Sequence, residues 1–193
     1  AIRDILAYRE AAQAELDSLG ESEQDKTALE QEVPQLEAKL FAAGTALSQK
    51  RKTAAAELQR QIQDTLTRLG MPKVVFNVQV TAAEPNGNKQ IAGMYGFDSV
   101  EFLISTNPGE PVKPLNKIAS GGELSRVMLA LKTVLTAADE ADTLVFDEID
   151  TGIGGEVART VAEHLKGLAG NKQILCITHL AVIAAAADTH IKI

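Results

Sequence analysis

Through residues 1–70 the apolar positions recur at intervals of three and four. Ile2, Ile5, Ala12, Leu16 and Leu19, with Arg9 in the same row, form a first narrow stripe. Leu29, Val33, Leu36, Leu40, Ala43 and Leu47 form a second, and Leu58, Ile62, Leu66 and Leu69 extend it. A stripe this narrow predicts the seam of a coiled coil rather than the broad apolar face of a globular helix. Gly20-Glu21-Ser22 interrupts the spacing, so a helix break is expected there, with Ser22 and Asp25 capping a restart. Pro34 and Gly44 predict kinks or a second break. Gly70-Met71-Pro72 ends the region.

Beyond that stop the period changes to two. Phe76, Val78 and Val80 alternate with Asn77, Gln79 and Thr81, and Val100, Phe102 and Ile104 alternate with Glu101, Leu103 and Ser105. These read as two half-buried strands, antiparallel neighbours, with Pro85-Asn86-Gly87-Asn88 as a turn signal between them. Asn107-Pro108-Gly109-Glu110-Pro111 ends the pair. From there the pattern is α/β: helices over about 122–137 and 155–168, buried strands over 143–146 and 173–177, a short helix over 181–187 and a last strand from Thr189. Strands separated by helices predict a parallel sheet. The division expected is a coiled-coil arm over 1–70 and an α/β lobe over 71–193.

Composition narrows the function. The 193 residues are 45% hydrophobic and 23% charged, enough for a folded core. A net charge of −7 excludes a chain that attracts DNA or anionic membrane by its overall field. Nucleic acid would have to meet a local patch, and Gln49-Lys50-Arg51-Lys52 near Arg60 is the only compact basic group; a solvated coiled-coil face is its plainer reading. The lone Cys176 rules out an intrachain disulfide and suits a reducing cytoplasm. No stretch is apolar for long enough to cross a bilayer as a helix. Because Ala1 already lies within the helical pattern, the sequence reads as part of a longer chain.

Three segments carry candidate chemistry. Ser120-Gly121-Gly122 precedes a strongly helical run: serine suits the cap, and paired glycines let backbone N–H groups approach an anion. Taken alone it is an ordinary cap and turn. Thr143-Leu144-Val145-Phe146 delivers Asp147 and Glu148 to the C-terminal end of a buried strand, where ligands of open α/β sheets collect. There Asp147 can hold Mg²⁺ and Glu148 can polarise a water, or both can simply be solvated. Gln173-Ile174-Leu175-Cys176-Ile177 brings Thr178 and His179 to the same sheet edge. Arg126 either pairs with a carboxylate near the site or lies on the helix surface. Nothing matches G-x-x-x-x-G-K-[ST], the loop that would wrap a nucleotide's phosphates.

In order and spacing these segments resemble the ATP-binding-cassette ATPases of the SMC-like branch. Ala119-Ser120-Gly121-Gly122-Glu123 is similar to their signature motif, Leu144-Val145-Phe146-Asp147-Glu148 to their Walker B strand, and Thr178-His179 to their switch histidine. Finer detail resembles the RecN family of bacterial DNA repair proteins. That detail is the run from Asn107-Pro108-Gly109 into Lys117-Ile118-Ala119-Ser120, then Phe146-Asp147-Glu148-Ile149-Asp150-Thr151-Gly152-Ile153-Gly154-Gly155, and Cys176-Ile177-Thr178-His179-Leu180. Gly154 stands where many cassette ATPases close the loop with Asp; RecN proteins also have small residues there. The departure favours RecN and removes any carboxylate contact across a dimer at that position.

The resemblance implies an α/β fold, the C-terminal lobe of an ABC/SMC-type ATPase head preceded by a returning coiled-coil arm. It implies ATP and Mg²⁺ as cofactors, with Ser120, Gly121, Gly122 and Glu123 contacting ATP held by a second head. Asp147 would position the metal, Glu148 would orient the attacking water, and His179 would sense the γ-phosphate. The implied partners are DNA, a second copy engaged through ATP, and the N-terminal half of the same protein, with no membrane; the implied place is the cytoplasm, at the nucleoid. The implied process is double-strand-break repair by recombination, and without the phosphate loop these residues alone should not hydrolyse ATP. The competing readings are the head of an SMC or condensin-like chromosome organiser, and a non-catalytic coiled-coil adaptor.

Overall fold

The computed structural model describes residues 2–82, 93–107, 109–117, 120–136 and 139–192, leaving aside the side chains of 3–5 and 18–25. The expected turn at 85–88 lies outside these residues, as does Ala119 of the signature segment. A single helix, α1 (Ile2–Arg68), replaces the interrupted one expected, running on through 20–22 and through Pro34. The helix formers around those positions outweigh one glycine, which costs only about 1 kcal/mol in a helix interior. The chain separates into two compact units, residues 1–49 with 84–97 and residues 50–83 with 98–193.

In the first unit, Leu16, Leu29, Val33, Leu36 and Leu40 of α1 are exposed along the predicted stripe. Phe97 is buried and its ring lies 6.2 Å from that of Phe41. A Cβ at Gly44 would collide with the Phe97 ring. The glycine expected to bend the helix is thus the seat of an aromatic side chain.

The second unit takes in α1 from residue 50 onward, some twenty residues earlier than the boundary the sequence suggests. Ile62, Leu66 and Leu69 are fully buried there, together with Phe76, Val127, Leu129, Ile149 and Val161. α1 stops because Gly70 takes φ +80°: its N–H bonds the Thr67 carbonyl at 3.3 Å and the Met71 N–H bonds that of Leu66 at 3.0 Å. This is a Schellman stop, closed by the buried side chain of Met71.

β1 (Val75–Ala82) pairs antiparallel with β2 (Asp98–Ser105), and β2 pairs with the short β3 (Lys113–Pro114), giving the order β1-β2-β3. The free edge of β1 is occupied by α1: Gln63 accepts from Phe76 N–H and donates to the Val74 carbonyl, and Gln59 accepts from Val78 N–H. Edge groups are thus paired within the chain instead of inviting another strand.

After a 3₁₀ turn at Leu115–Lys117 come α2 (Gly121–Val134), β4 (Thr143–Phe146), α3 (Gly155–Ala169), β5 (Gln173–Cys176) and α4 (Ala181–Ala184). β4 and β5 are parallel, with Val145 opposite Leu175 and Phe146 opposite Cys176. Buried Ala158, Val161, Ala162, Leu165 and Leu168 trace one face of α3. The final strand expected from Thr189 does not form: residues 189–192 have no strand partner.

Candidate functional site

β4 and β5 run side by side in the same direction, so their C-terminal ends share one edge, extended by the Ile177 N–H bonding the Phe146 carbonyl at 3.0 Å. Asp147, Glu148 and His179 all leave from that edge. Asp147 is exposed, and its Oδ1 accepts the Glu148 N–H at 2.8 Å. Glu148 is the only non-glycine with positive φ among the described residues, at +55°. Such a conformation costs on the order of 1 kcal/mol and needs surrounding structure to hold it.

That structure is the start of α2. The Glu148 carboxylate lies so close to Gly121 that a Cβ there would overlap it. A Cβ on Gly122 would come within 2.9 Å of both the Glu148 carbonyl oxygen and Thr151 Cβ. Gly122 is therefore required by the close approach of the 148–151 loop, whereas Gly121 leaves room for the Glu148 carboxylate itself. A carboxylate at a helix N-terminus is also electrostatically favoured. Ser120 has the extended backbone of an N-cap, but contrary to expectation its hydroxyl makes no capping bond. Glu123, in the first turn, is partly buried.

Two further residues of α2 fasten the same loop. Ser125 Oγ donates to the Asp147 carbonyl at 2.7 Å. Arg126 is buried, and its Nη1 donates to the carbonyls of Ile149 at 3.2 Å and Thr151 at 2.9 Å. The reading that places Arg126 on the helix surface does not apply: it is buried and holds backbone carbonyls. Burial lowers its pKa, and Glu123 opposes that effect.

Asp150 was not marked by the sequence, yet it links the two strand ends. It is buried, and its Oδ2 accepts the Thr178 hydroxyl at 2.5 Å and the His179 N–H at 2.9 Å, and lies 3.0 Å from His179 Nδ1. Burial works to raise its pKa; the bonds from Thr178 and the His179 N–H, with the nearby imidazole, outweigh burial and hold the carboxyl below its usual range. The available signal was a third acid in Asp-Glu-x-Asp, three residues after Asp147. The edge thus gathers Gly121, Gly122, Asp147, Glu148, Asp150 and His179 in one chain.

Both arginines of the basic group are engaged by acidic side chains. Arg51 bonds the buried Asp98 side chain at 3.3 Å, and Arg60 is held by Glu57 at 2.6 Å and Asp64 at 3.2 Å.

No protein-family model matches the chain. It is 56% identical over 190 residues to the DNA repair protein RecN of Treponema pallidum, covering 98% of this chain and 33% of that protein. It is 42% identical over 193 residues to RecN of Deinococcus radiodurans, covering all of this chain and 33% of the relative. The chain therefore spans about a third of the length of the curated relatives it matches. Among solved structures it resembles the Pyrococcus furiosus Smc head domain with an extended coiled coil bound to the C-terminal domain of ScpA, with TM-score 0.46 and 22% identity, over 72% of this chain and 31% of that one.

Proposed function

From a chain that is RecN-like over nearly its whole length, we propose a part of an ATP-hydrolysing head that acts in DNA double-strand-break repair by recombination. The part is the C-terminal lobe with a returning coiled-coil arm. The observation that carries this reading is the meeting, at one sheet edge, of a glycine-paired helix start with the Asp147–Glu148 strand end and with His179.

Each group then has a task that its position suits. Ser120, Gly121, Gly122 and Glu123 offer the N-terminus of α2 to the γ-phosphate of ATP held by a second head, where N–H groups and the helix dipole attract an anion. Asp147 would hold Mg²⁺. An exposed single carboxylate fits an ion that keeps waters and substrate phosphates as its other ligands, and no trio of His, Cys, Asp or Glu gathers among the described residues to form a protein cage. The ion would neutralise phosphate charge. Glu148 orients the attacking water once it leaves Gly121, and His179 stands beside it at the edge. Phosphoryl transfer needs mainly positioning and charge stabilisation, so a site divided between two copies is switched by their docking.

Two apolar surfaces support an incomplete head. On the outer face of the β4–β5 sheet, Val145 is 63%, Leu175 50% and Ile177 61% exposed. Parallel sheets are ordinarily covered on both faces, and the matched relatives have twice as much chain again to supply that layer. We assign it to the N-terminal half, and the exposed leucine stripe of α1 to the outgoing arm. DNA and a second copy are the remaining partners, in the cytoplasm at the nucleoid; no described helix is long and apolar enough to cross a membrane.

The test compares these 193 residues with a protein of full RecN length that carries them. The short chain should show no ATP turnover. The full-length protein should hydrolyse ATP and lose about 10²–10⁴-fold on Glu148→Gln, the range for removing a water-activating group. A full-length protein without turnover would leave the non-catalytic adaptor.

A further inference from the structure

We propose that Asp150 is the positioning residue for His179, fixing the ring so that Nδ1 carries the proton and Nε2 faces outward as a hydrogen-bond acceptor. Asp150 is 4% exposed, whereas the His179 side chain is 73% exposed. One carboxylate oxygen takes the Thr178 hydroxyl, the His179 backbone N–H and the Nδ1 side of the His179 ring, at 2.5, 2.9 and 3.0 Å. Thr178 Oγ1 accepts in turn from the Leu180 N–H at 3.1 Å, which orients its own proton toward Asp150. Arg126 grips the carbonyls on either side of Asp150, which fixes the backbone from which the carboxylate reaches the β5 end.

The proton assignment follows from these partners. Asp150 receives two donors from Thr178 and the His179 backbone, and its carboxyl is held in the ionised form. An ionised carboxylate has no proton to give. The Nδ1 contact is therefore a hydrogen bond only if Nδ1 is the donor. A neutral imidazole has one ring proton, so Nε2 is left bare, and in histidine the nitrogen that is engaged dictates the state of the other. This is the tautomer that histidine free in water disfavours. It is enforced here by a buried acid on the neighbouring strand's loop.

The chemical consequence concerns what His179 can meet. A bare Nε2 accepts a hydrogen bond from water but cannot donate one to a phosphate oxygen; that contact requires the doubly protonated ring. In its neutral form the ring thus offers an acceptor to an attacking water, and that use alone rests on the ATPase reading. Asp150 touches neither phosphate nor water in this role.

The test is a two-bond ¹H–¹⁵N correlation spectrum of the histidine-labelled 193-residue chain at about pH 8, above the usual imidazole pKa. His179 should show a protonated Nδ1 and an unprotonated Nε2. Asp150→Asn, which keeps the shape but removes the charge, should shift the ring toward the Nε2–H form, and Asp150→Ala should complete the change. An Nε2–H ring in the unmodified chain, or a spectrum unmoved by either substitution, overturns the proposal. In the full-length protein Asp150→Asn should lower kcat about 10–100-fold with little change in KM for ATP, the usual scale for a residue that orients another. An unchanged kcat overturns the positioning role. A full-length protein with no turnover at all would instead sink the ATPase reading and leave the tautomer result standing.

Discussion

Gly121→Ala and Gly122→Ala add the same methyl group to adjacent residues of α2, yet the structure predicts different outcomes. Neither position has the positive φ that strains an alanine, so both gain the ordinary benefit of about 0.4–1 kcal/mol from a less flexible unfolded chain. The costs differ. At Gly121 the new Cβ overlaps only the tip of the Glu148 side chain, with the next atom at 3.3 Å. That carboxylate can rotate into solvent, so the net change should lie within about 0.5 kcal/mol of zero, the ordinary range for a surface change. At Gly122 the Cβ comes within 2.9 Å of the Glu148 carbonyl oxygen and of Thr151 Cβ, neither of which can rotate away. Comfortable carbon contacts are about 3.5–4.0 Å, so the 148–151 loop must move against its Arg126 and Ser125 bonds. Overpacking of this kind costs about 1–3 kcal/mol, leaving a net loss of roughly 1–2 kcal/mol. Urea unfolding followed by circular dichroism resolves such a difference as a lower midpoint at unchanged slope. Equal midpoints for the two variants, or a Gly122→Ala chain as stable as the parent, would refute the close approach of loop and helix.

Gly70→Ala should destabilise by about 2–4 kcal/mol in the same assay, because it combines a left-handed backbone at φ +80° with a Cβ 2.7 Å from Val157 Cγ1. Cys176 should resist alkylation: burial first, then the charges of Asp150 and Asp147, push its thiol up to about 11. At pH 8 the thiolate fraction is then on the order of 10⁻³, against roughly a quarter for an ordinary thiol, so iodoacetamide should label it at least tenfold faster after denaturation. Lowering pH should remove the stability contributed by Asp150. With its folded pKa depressed, that contribution is present above the usual carboxylate pKa of about 4 and is lost as pH falls through the lower folded value, so Asp150→Asn should flatten the acid limb of a stability–pH curve.

Most of the element order was legible because period and punctuation agreed. The switch from three-four spacing to alternation at Gly70-Met71-Pro72 marks a true helix stop, and β1, β2, β4, α3 and β5 lie within a few residues of expectation. The misses share a physical origin in tertiary context. Gly44 reads locally as a helix weakness, but the ring of Phe97 fills its surface. Leu58 to Leu69 share the arm's spacing, yet Ile62, Leu66 and Leu69 end in the core, which no local pattern distinguishes. Residues 189–192 look like a strand and have no partner to pair with.

At the candidate site, residue types announced the glycines, the two strand-end carboxylates and the histidine. Their connections were not legible. Arg126 and Asp150 act through backbone carbonyls and a neighbouring strand end, relations that exist only once α2, β4 and β5 are packed.

The most direct test of the central claim, that this chain supplies one part of an ATP-clamped pair of heads, is the mass in solution of a RecN-length protein bearing Glu148→Gln. Sedimentation with ATP and Mg²⁺ should give a dimer, and adding Ser120→Arg should return it to the monomer while nucleotide binding to each head persists. A protein that stays monomeric with bound ATP, or a dimer indifferent to Ser120→Arg, would contradict it.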